Sequence, residues 1–143
     1  MKEIKGNIWD FHSDGVVAIT TNGIVKKDGT LVMGKGIALQ ASDKFPGLAK
    51  ELGHLVSEYG NRPFYFSEFK ILTIPVKNNY KDDADIDLIK RSCRLLPHFA
   101  DYWKLEKIYM VRPGCGSGGL KWEDVKKTID TILDDRFIVV DNG

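Results

Sequence analysis

The sequence predicts an α/β protein: a three-layer α/β/α sandwich with helices on both faces of a mixed, mostly parallel central sheet. Three observations carry that prediction. Strand-like and helix-like segments alternate along most of the chain, the order that builds parallel strands through helical crossovers. The run Val16-Val17-Ala18-Ile19-Thr20-Thr21 opens with continuous apolar residues, as a strand buried on both faces does. Two glycine-rich clusters follow strand-like segments, and sheets of this kind bind ligands outside the carboxyl ends of their strands.

The chain opens with Lys2, Ile4 and Gly6-Asn7-Ile8 in alternation, which reads as an edge strand. Val16–Thr21 is a buried strand closed by Asn22-Gly23. Ile24-Val25 and Leu31-Val32 flank Lys26-Lys27-Asp28-Gly29-Thr30, whose Asp-Gly pair signals a hairpin or tight turn. Ile37, Ala41 and Phe45 recur every four residues, giving a helix that Pro46 ends. Leu48, Leu52, Leu55 and Tyr59 mark a second helix, closed by Gly60-Asn61. Phe64-Tyr65-Phe66 and Ile71-Leu72-Thr73-Ile74 read as two strands. Ile86, Ile89, Cys93, Leu96, Ala100 and Trp103 step by three and four residues, the clearest helical period in the chain. Pro97 lies within that helix and is expected to kink or break it. Ile108–Val111 is a strand, Trp122, Val125, Ile129 and Ile132 mark a last helix, and Phe137–Val140 is a last strand. With no linker, repeat or low-complexity segment, residues 1–143 are expected to form one domain, a length within the usual range of ~100–200.

Composition narrows the function classes. Lys plus Arg is 21 and Asp plus Glu is 20, so the net charge is +1, which argues against a nucleic-acid coat protein. The two cysteines, Cys93 and Cys115, stand far apart and form neither a disulfide framework nor a zinc knuckle. His12, His54 and His98 are scattered, and Asp10, His12 and Asp14 read as a loop, so no metal or cofactor is expected. The N-terminus lacks an apolar run, and no stretch approaches the ~20 apolar residues of a membrane span. The expectation is a cytoplasmic monomer with no membrane partner.

The glycines, 14 in all, carry the chemistry through their positions. Gly29 to Gly36 has the spacing of a P-loop, but Gly36 stands where the magnesium-binding hydroxyl belongs, and Leu31-Val32-Met33 is too apolar to wrap phosphates. Gly114-Cys115-Gly116-Ser117-Gly118-Gly119 satisfies G-x-G-x-x-G, follows a strand and is expected to open a helix at Leu120. A dinucleotide fold needs that turn in its first βαβ unit, whereas here a single strand remains. Both loops nonetheless bring backbone N–H groups to a helix N-terminus, which favours an anion. Two such loops suit a ligand with two adjacent phosphates; the plainer alternative is a pair of tight strand-to-helix turns.

Taken together and in order, Lys5-Gly6-Asn7-Ile8, Val32-Met33-Gly34-Lys35-Gly36-Ile37-Ala38-Leu39 and Pro113-Gly114-Cys115-Gly116-Ser117-Gly118-Gly119-Leu120-Lys121-Trp122 resemble the macrodomain family over almost the whole chain. The branch it most resembles holds the DNA ADP-ribosyl glycohydrolase antitoxins and the glutamate-linked ADP-ribosyl hydrolases. The resemblance implies ADP-ribose, or an ADP-ribosylated DNA or protein, as ligand. Asn7 and Ile8 would face the adenine, with Asn7 standing where the family often has Asp. Asn22 would lie near the distal ribose. Gly34, Lys35, Gly36, Ile37 and Ala38 would cradle the diphosphate from one side. Gly114, Cys115, Gly116, Ser117, Gly118, Gly119 and Leu120 would do so from the other. Lys77, in Ile74-Pro75-Val76-Lys77-Asn78, falls where this branch keeps a catalytic lysine, a group able to serve as nucleophile or base at the anomeric carbon.

The resemblance has departures. Gly118 stands where the glutamate-linked hydrolases carry an Asp, which turns the reading toward the DNA-directed branch. Gly23–Thr30 is an insertion beside the expected distal ribose. Cys115 has no neighbouring base and reads as a small packing residue. Trp122 reads as a core plug, and Lys35 either serves the diphosphate or points to solvent. Lys26, Lys27 and Arg62 read as a solvated face, with a nucleic-acid backbone as the alternative, and Tyr80 to Asp83 as a loop rim. The expected function is de-ADP-ribosylation through Lys77; the alternatives are a non-catalytic ADP-ribose reader and an ADP-ribose 1″-phosphate phosphatase.

Overall fold

Six strands form one sheet in the order β1-β6-β5-β2-β4-β3 in this computed structural model, which describes residues 1–142; the last residue of the expected domain lies outside them. The strands are β1 (Lys2–Lys5), β2 (Val16–Thr21), β3 (Tyr65–Phe66), β4 (Ile71–Pro75), β5 (Ile108–Met110) and β6 (Phe137–Asp141). The helices are α1 (Gly36–Lys44), α2 (Leu48–Tyr59), α3 (Ile86–Trp103) and α4 (Trp122–Ile129). Every pairing is parallel except β3 with β4. The three-layer, mostly parallel architecture read from the sequence is the one observed.

The layers follow from side-chain alternation on the central strands. Val16 and Ala18 of β2 point to a core shared with Ile89, Cys93, Leu96 and Ala100 of α3 and Val125 and Ile129 of α4. Val17 and Ile19 point the other way, to Ala38 and Ala41 of α1 and Leu48, Leu52 and Val56 of α2. Both faces are covered, which is why β2 and β4 read as largely apolar runs.

Several boundaries differ from the sequence reading. β1 stops at Lys5, and Ile8 belongs to a 3-10 turn, Ile8–Phe11, because the Asn7 side chain accepts from the Trp9 N–H and turns the chain. The expected hairpin is reduced to one antiparallel bridge, Val25 to Leu31. Pro97 does not break α3, which runs from Ile86 to Trp103. Asp85 caps its start, accepting from the N–H of Asp87 at 2.9 Å and of Leu88 at 3.3 Å. Apolar packing on both sides of Pro97, by Cys93 and Ala100, outweighs the one hydrogen bond that proline removes. α4 begins at Trp122 rather than Leu120, because the Leu120 N–H bonds back to the Gly114 carbonyl and closes the loop on itself.

Since β1, β6, β5, β2 and β4 are mutually parallel, all five end on one edge of the sheet. The chain leaves β2 toward β4 and β3, and later returns through β5 on the other side of β2. The crevice between the ends of β2 and β5 is therefore a topological switch point, the place where open α/β sheets hold ligands. The glycine clusters lie in the segments that follow these two strands.

Candidate functional site

A cleft of about 830 Å³ opens at that edge. Its walls are the Gly6-Asn7-Ile8 turn, the start of α1, the end of β4 and the Gly114–Leu120 loop, with Val111, Val140 and Asp141 behind them. Of the expected site residues it gathers Asn7, Ile8, Lys35, Gly36, Ile37, Lys77, Gly114, Cys115, Gly116, Ser117, Gly118 and Leu120. Asn22, Gly34, Ala38 and Gly119 are not among the residues that line it. Asn22 is buried and braces its own loop: its Nδ2 donates to the Val32 carbonyl at 2.8 Å and its Oδ1 accepts from the Ile24 N–H at 2.9 Å. Ala38 points into the core between α1 and the sheet.

The start of α1 is electrostatically open. Lys35 occupies the cap position in an extended conformation and makes no capping bond, and the first turn holds no acidic residue. Its positive dipole end thus faces the cleft without a local counter-charge. α4 differs, since Glu123 and Asp124 lie in its first turn. Lys35 is exposed at the cleft wall.

The second loop has a fixed backbone and free donors. Gly114 has φ +74° and sits under Ile89, Ala84 and Leu120, so that a Cβ there would stand 2.8 Å from Ile89 Cδ1. Only glycine meets both demands. The Gly119 N–H reaches the Gly116 carbonyl, and the Gly118 carbonyl accepts from Ala84. Among the described residues, no protein acceptor serves the N–H groups of Gly116, Ser117 or Gly118. A Cβ at Gly116 would meet nothing, whereas one at Gly118 would stand 2.5 Å from the Gly114 carbonyl oxygen and 2.7 Å from Ala84 Cβ. Packing therefore leaves no room for a side chain at Gly118.

Lys77 follows β4 and is half-buried in the cleft wall. Its Nζ donates to the Ser117 carbonyl at 3.5 Å, so it spans from the sheet end to the second glycine loop. Asn7 is exposed on the opposite side, its Oδ1 already accepting from Trp9 N–H at 3.1 Å and keeping one lone pair for another donor. Cys115 lines the loop, but burial pushes its thiol above the ordinary range and the nearby Arg112 charge only partly offsets this. Its Sγ donates to the Pro113 carbonyl at 3.5 Å, which fits a packing role and not a nucleophile.

Two lining residues depart from the sequence reading or escape it. Trp122 packs only partly against the core: its ring lines the cleft and its Nε1 donates to Glu3 Oε1 at 2.9 Å. A tryptophan at the start of a helix has an N–H to satisfy, and here the partner stands on β1. Arg112 was not singled out in the sequence. Its guanidinium lies 5.2 Å from the Trp122 ring centroid and its Nη2 pairs with Asp141 at 3.2 Å, while its buried Nε has no protein partner among the described residues. The available signal was position: Arg112, like Lys77, closely follows a buried strand of the same edge.

No family model and no curated protein matches this chain. Solved structures do. The macrodomain of Mycobacterium tuberculosis DarG matches with a TM-score of 0.79 at 20% identity, covering 99% of this chain and 97% of that one. The macrodomain of Thermus aquaticus DarG matches at 0.78 and 22% identity, again covering 99% and 97%. Thermosipho africanus DarTG in complex with ADP-ribose matches at 0.75 and 20% identity, where the match covers 98% of this chain and 41% of that larger one. Among the described residues, no helix is long and apolar enough to cross a membrane, and no group of three or more metal-ligating side chains converges.

Proposed function

We propose that this chain, which has the macrodomain fold, binds ADP-ribose and hydrolyses it from a modified macromolecule, with Lys77 at the reacting centre. The observation that carries the reading is the reach of Lys77 Nζ from the end of β4 to the Ser117 carbonyl, beside a loop whose Gly116, Ser117 and Gly118 N–H groups have no protein acceptor among the described residues. The Thermosipho africanus structure, which holds ADP-ribose and shares this fold, supports the ligand class.

In this reading the diphosphate lies between the start of α1 and the Gly116–Gly118 segment. The uncapped helix end and Lys35 supply positive potential from one side, and backbone N–H groups donate from the other. The adenine lies toward Asn7 and Ile8 and the distal ribose toward Lys77. Hydrolysis breaks the bond between the anomeric carbon and the acceptor atom. Water delivers its hydroxyl to that carbon and a proton to the acceptor. Lys77 acts at the anomeric carbon while that bond breaks, and the fixed diphosphate keeps the ribose within its reach.

Gly118 bears on the acceptor. The Asp that glutamate-linked enzymes of the resembled branch carry has no counterpart here, and the packing of Gly118 against Gly114 and Ala84 leaves no place for one. That favours an ADP-ribosylated DNA base over a protein carboxylate. The test pairs calorimetry with release assays on an ADP-ribosylated oligonucleotide and on a glutamate-modified protein. Lys77→Ala is expected to keep ADP-ribose affinity and lose release. Full activity of that variant would refute the mechanism, and binding by the wild type without release from either substrate would leave a reader in its place.

A further inference from the structure

We propose that the side-chain amide of Asn61 sets the position of Lys77, an inference that rests on Lys77 being the reacting group. Asn61 comes just after α2 and reads in the sequence as part of a helix stop. Its amide instead reaches the end of β4. Nδ2 donates to the Lys77 carbonyl at 2.9 Å and to Asn78 Oδ1 at 3.0 Å. Turning the amide over would set its oxygen against the Lys77 carbonyl, which can only accept, so that carbonyl fixes which end of Asn61 is the donor.

The surroundings leave the amide little freedom. The Gly23 N–H donates to the Asn78 carbonyl at 3.1 Å. A Cβ on Gly23 would stand 2.9 Å from Asn61 Cγ, so the segment after β2 lies directly against the amide. One residue upstream, the Val76 carbonyl accepts from the Asp85 N–H at 2.9 Å. Three consecutive carbonyls, of Val76, Lys77 and Asn78, are thus held by three different segments: the cap of α3, Asn61 and Gly23. At its other end, Lys77 Nζ makes one hydrogen bond among the described residues, 3.5 Å to the Ser117 carbonyl. The backbone is fixed while the amine stays available, as a side chain must be if it is to deliver Nζ to one point. Asn61 Oδ1 is buried with no protein partner among the described residues. A buried acceptor of that kind is a cost to the fold, so the benefit of asparagine lies in its two donors.

The experiment compares Asn61→Ala, Asn61→Asp, Lys77→Ala and the Asn61→Ala/Lys77→Ala double variant in release from an ADP-ribosylated oligonucleotide. Asn61→Ala is expected to lower kcat by about tenfold or more, since misplacing a reacting group by about 1 Å can cost ~100-fold. Asn61→Asp, which turns donors into acceptors at nearly constant size, should lose more. KM and the calorimetric ADP-ribose affinity should stay within about twofold, as they would not if the cleft itself were deformed. In the Lys77→Ala background, Asn61→Ala should change residual release no further. Gly23→Ala, which keeps Asn61 but crowds its amide, should reproduce the kcat loss. The 13C relaxation of the Lys77 side chain, measured without substrate, should show greater motion in Asn61→Ala.

Unchanged kcat, an equal loss in the Lys77→Ala background, or unchanged Lys77 relaxation would each overturn the assignment. Full activity of Lys77→Ala would instead remove the proposed function, and the relaxation measurement would still decide whether Asn61 holds Lys77.

Discussion

Two glycines two residues apart separate scaffold from site. Gly114→Ala asks an L residue to adopt φ +74° and places a methyl 2.8 Å from Ile89 Cδ1 and 2.9 Å from Ala84 Cβ. The left-handed conformation costs about 1–2 kcal/mol and overpacking a close-packed site another ~1–3 kcal/mol. The sum, roughly 2–5 kcal/mol, corresponds to a fall in Tm of about 5–15 °C for a domain of this size. Gly116 has neither constraint: its φ lies outside the left-handed region and a Cβ would meet open space. Gly116→Ala should therefore melt within about 2 °C of the wild type, as substitutions away from packed features do. It should instead weaken ADP-ribose binding, because the methyl projects beside an N–H that has no protein acceptor. A hydrogen bond to a charged group is worth about 1.5–3 kcal/mol, which is roughly a 10- to 150-fold rise in Kd. Thermal melts followed by circular dichroism and calorimetric titration read the two effects separately. If Gly116→Ala kept full affinity, the Gly116–Gly118 N–H groups would not be the phosphate donors. If Gly114→Ala melted like the wild type, the packing argument for this loop would be wrong.

Further predictions follow from the same geometry. Gly118→Asp should destabilise by about 1–3 kcal/mol through its clash with the Gly114 carbonyl and Ala84, and should not confer release from glutamate-modified protein; thermal melts and the release assay check both. Tyr109, stacked on Phe11, donates its hydroxyl to Asp14 at 2.5 Å. That bond, with Lys107 second, holds the Asp14 carboxyl below its ordinary value, and the same bond pushes the Tyr109 phenol up to about 12. A lowered carboxylate stabilises above its unfolded pKa and loses that contribution as pH falls through the folded value. A raised phenol stabilises below its unfolded value and loses that contribution as pH rises toward about 12. Tyr109→Phe should remove the phenol's part of the alkaline limb and flatten the acid limb; urea midpoints measured against pH would show both, and unchanged limbs would contradict the assignment.

The parts legible in the sequence were those set by local periodicity. β2 and β4 announced themselves as apolar runs because both faces are covered, and α3 through an apolar face repeated from Ile86 to Trp103. The glycine clusters were legible because backbone conformation and close approach leave few other residues possible at positions such as Gly114. What escaped depends on residues far apart in the chain. Arg112 meets Asp141 and Trp122 only after β5 and β6 pair, and Trp122 finds Glu3 on the edge strand. Asn61 looked like punctuation after α2; its bond to Lys77 exists only because α2 delivers the chain to the end of β4. Pro97 works in the opposite direction: a local rule would break the helix there, and packing on α3 carries it through to Trp103.

The two helix starts near the cleft show why the phosphate-binding role divides unevenly between the loops. α4 carries Glu123 and Asp124 in its first turn, so its positive end is already compensated within its own sequence. α1 has no acid there and no side-chain cap, leaving its first N–H groups and Lys35 to be answered from outside. In the proposed complex the diphosphate completes the cap of α1, while the Gly114–Leu120 loop contributes N–H donors from a shape already locked by Ile89 and Ala84. Ligand binding and the stability of α1 are then linked. At a ligand concentration about 100 times Kd, binding to the folded state alone adds about 2.7 kcal/mol of stability. A Leu39→Glu substitution, at an exposed position that does not line the cleft, would supply the missing acid in the first turn of α1. It would raise the stability of the free protein while competing with the diphosphate for the same dipole, so the gain in Tm from added ADP-ribose should shrink. A gain in Tm equal to that of the wild type would mean that the phosphates do not sit at the start of α1.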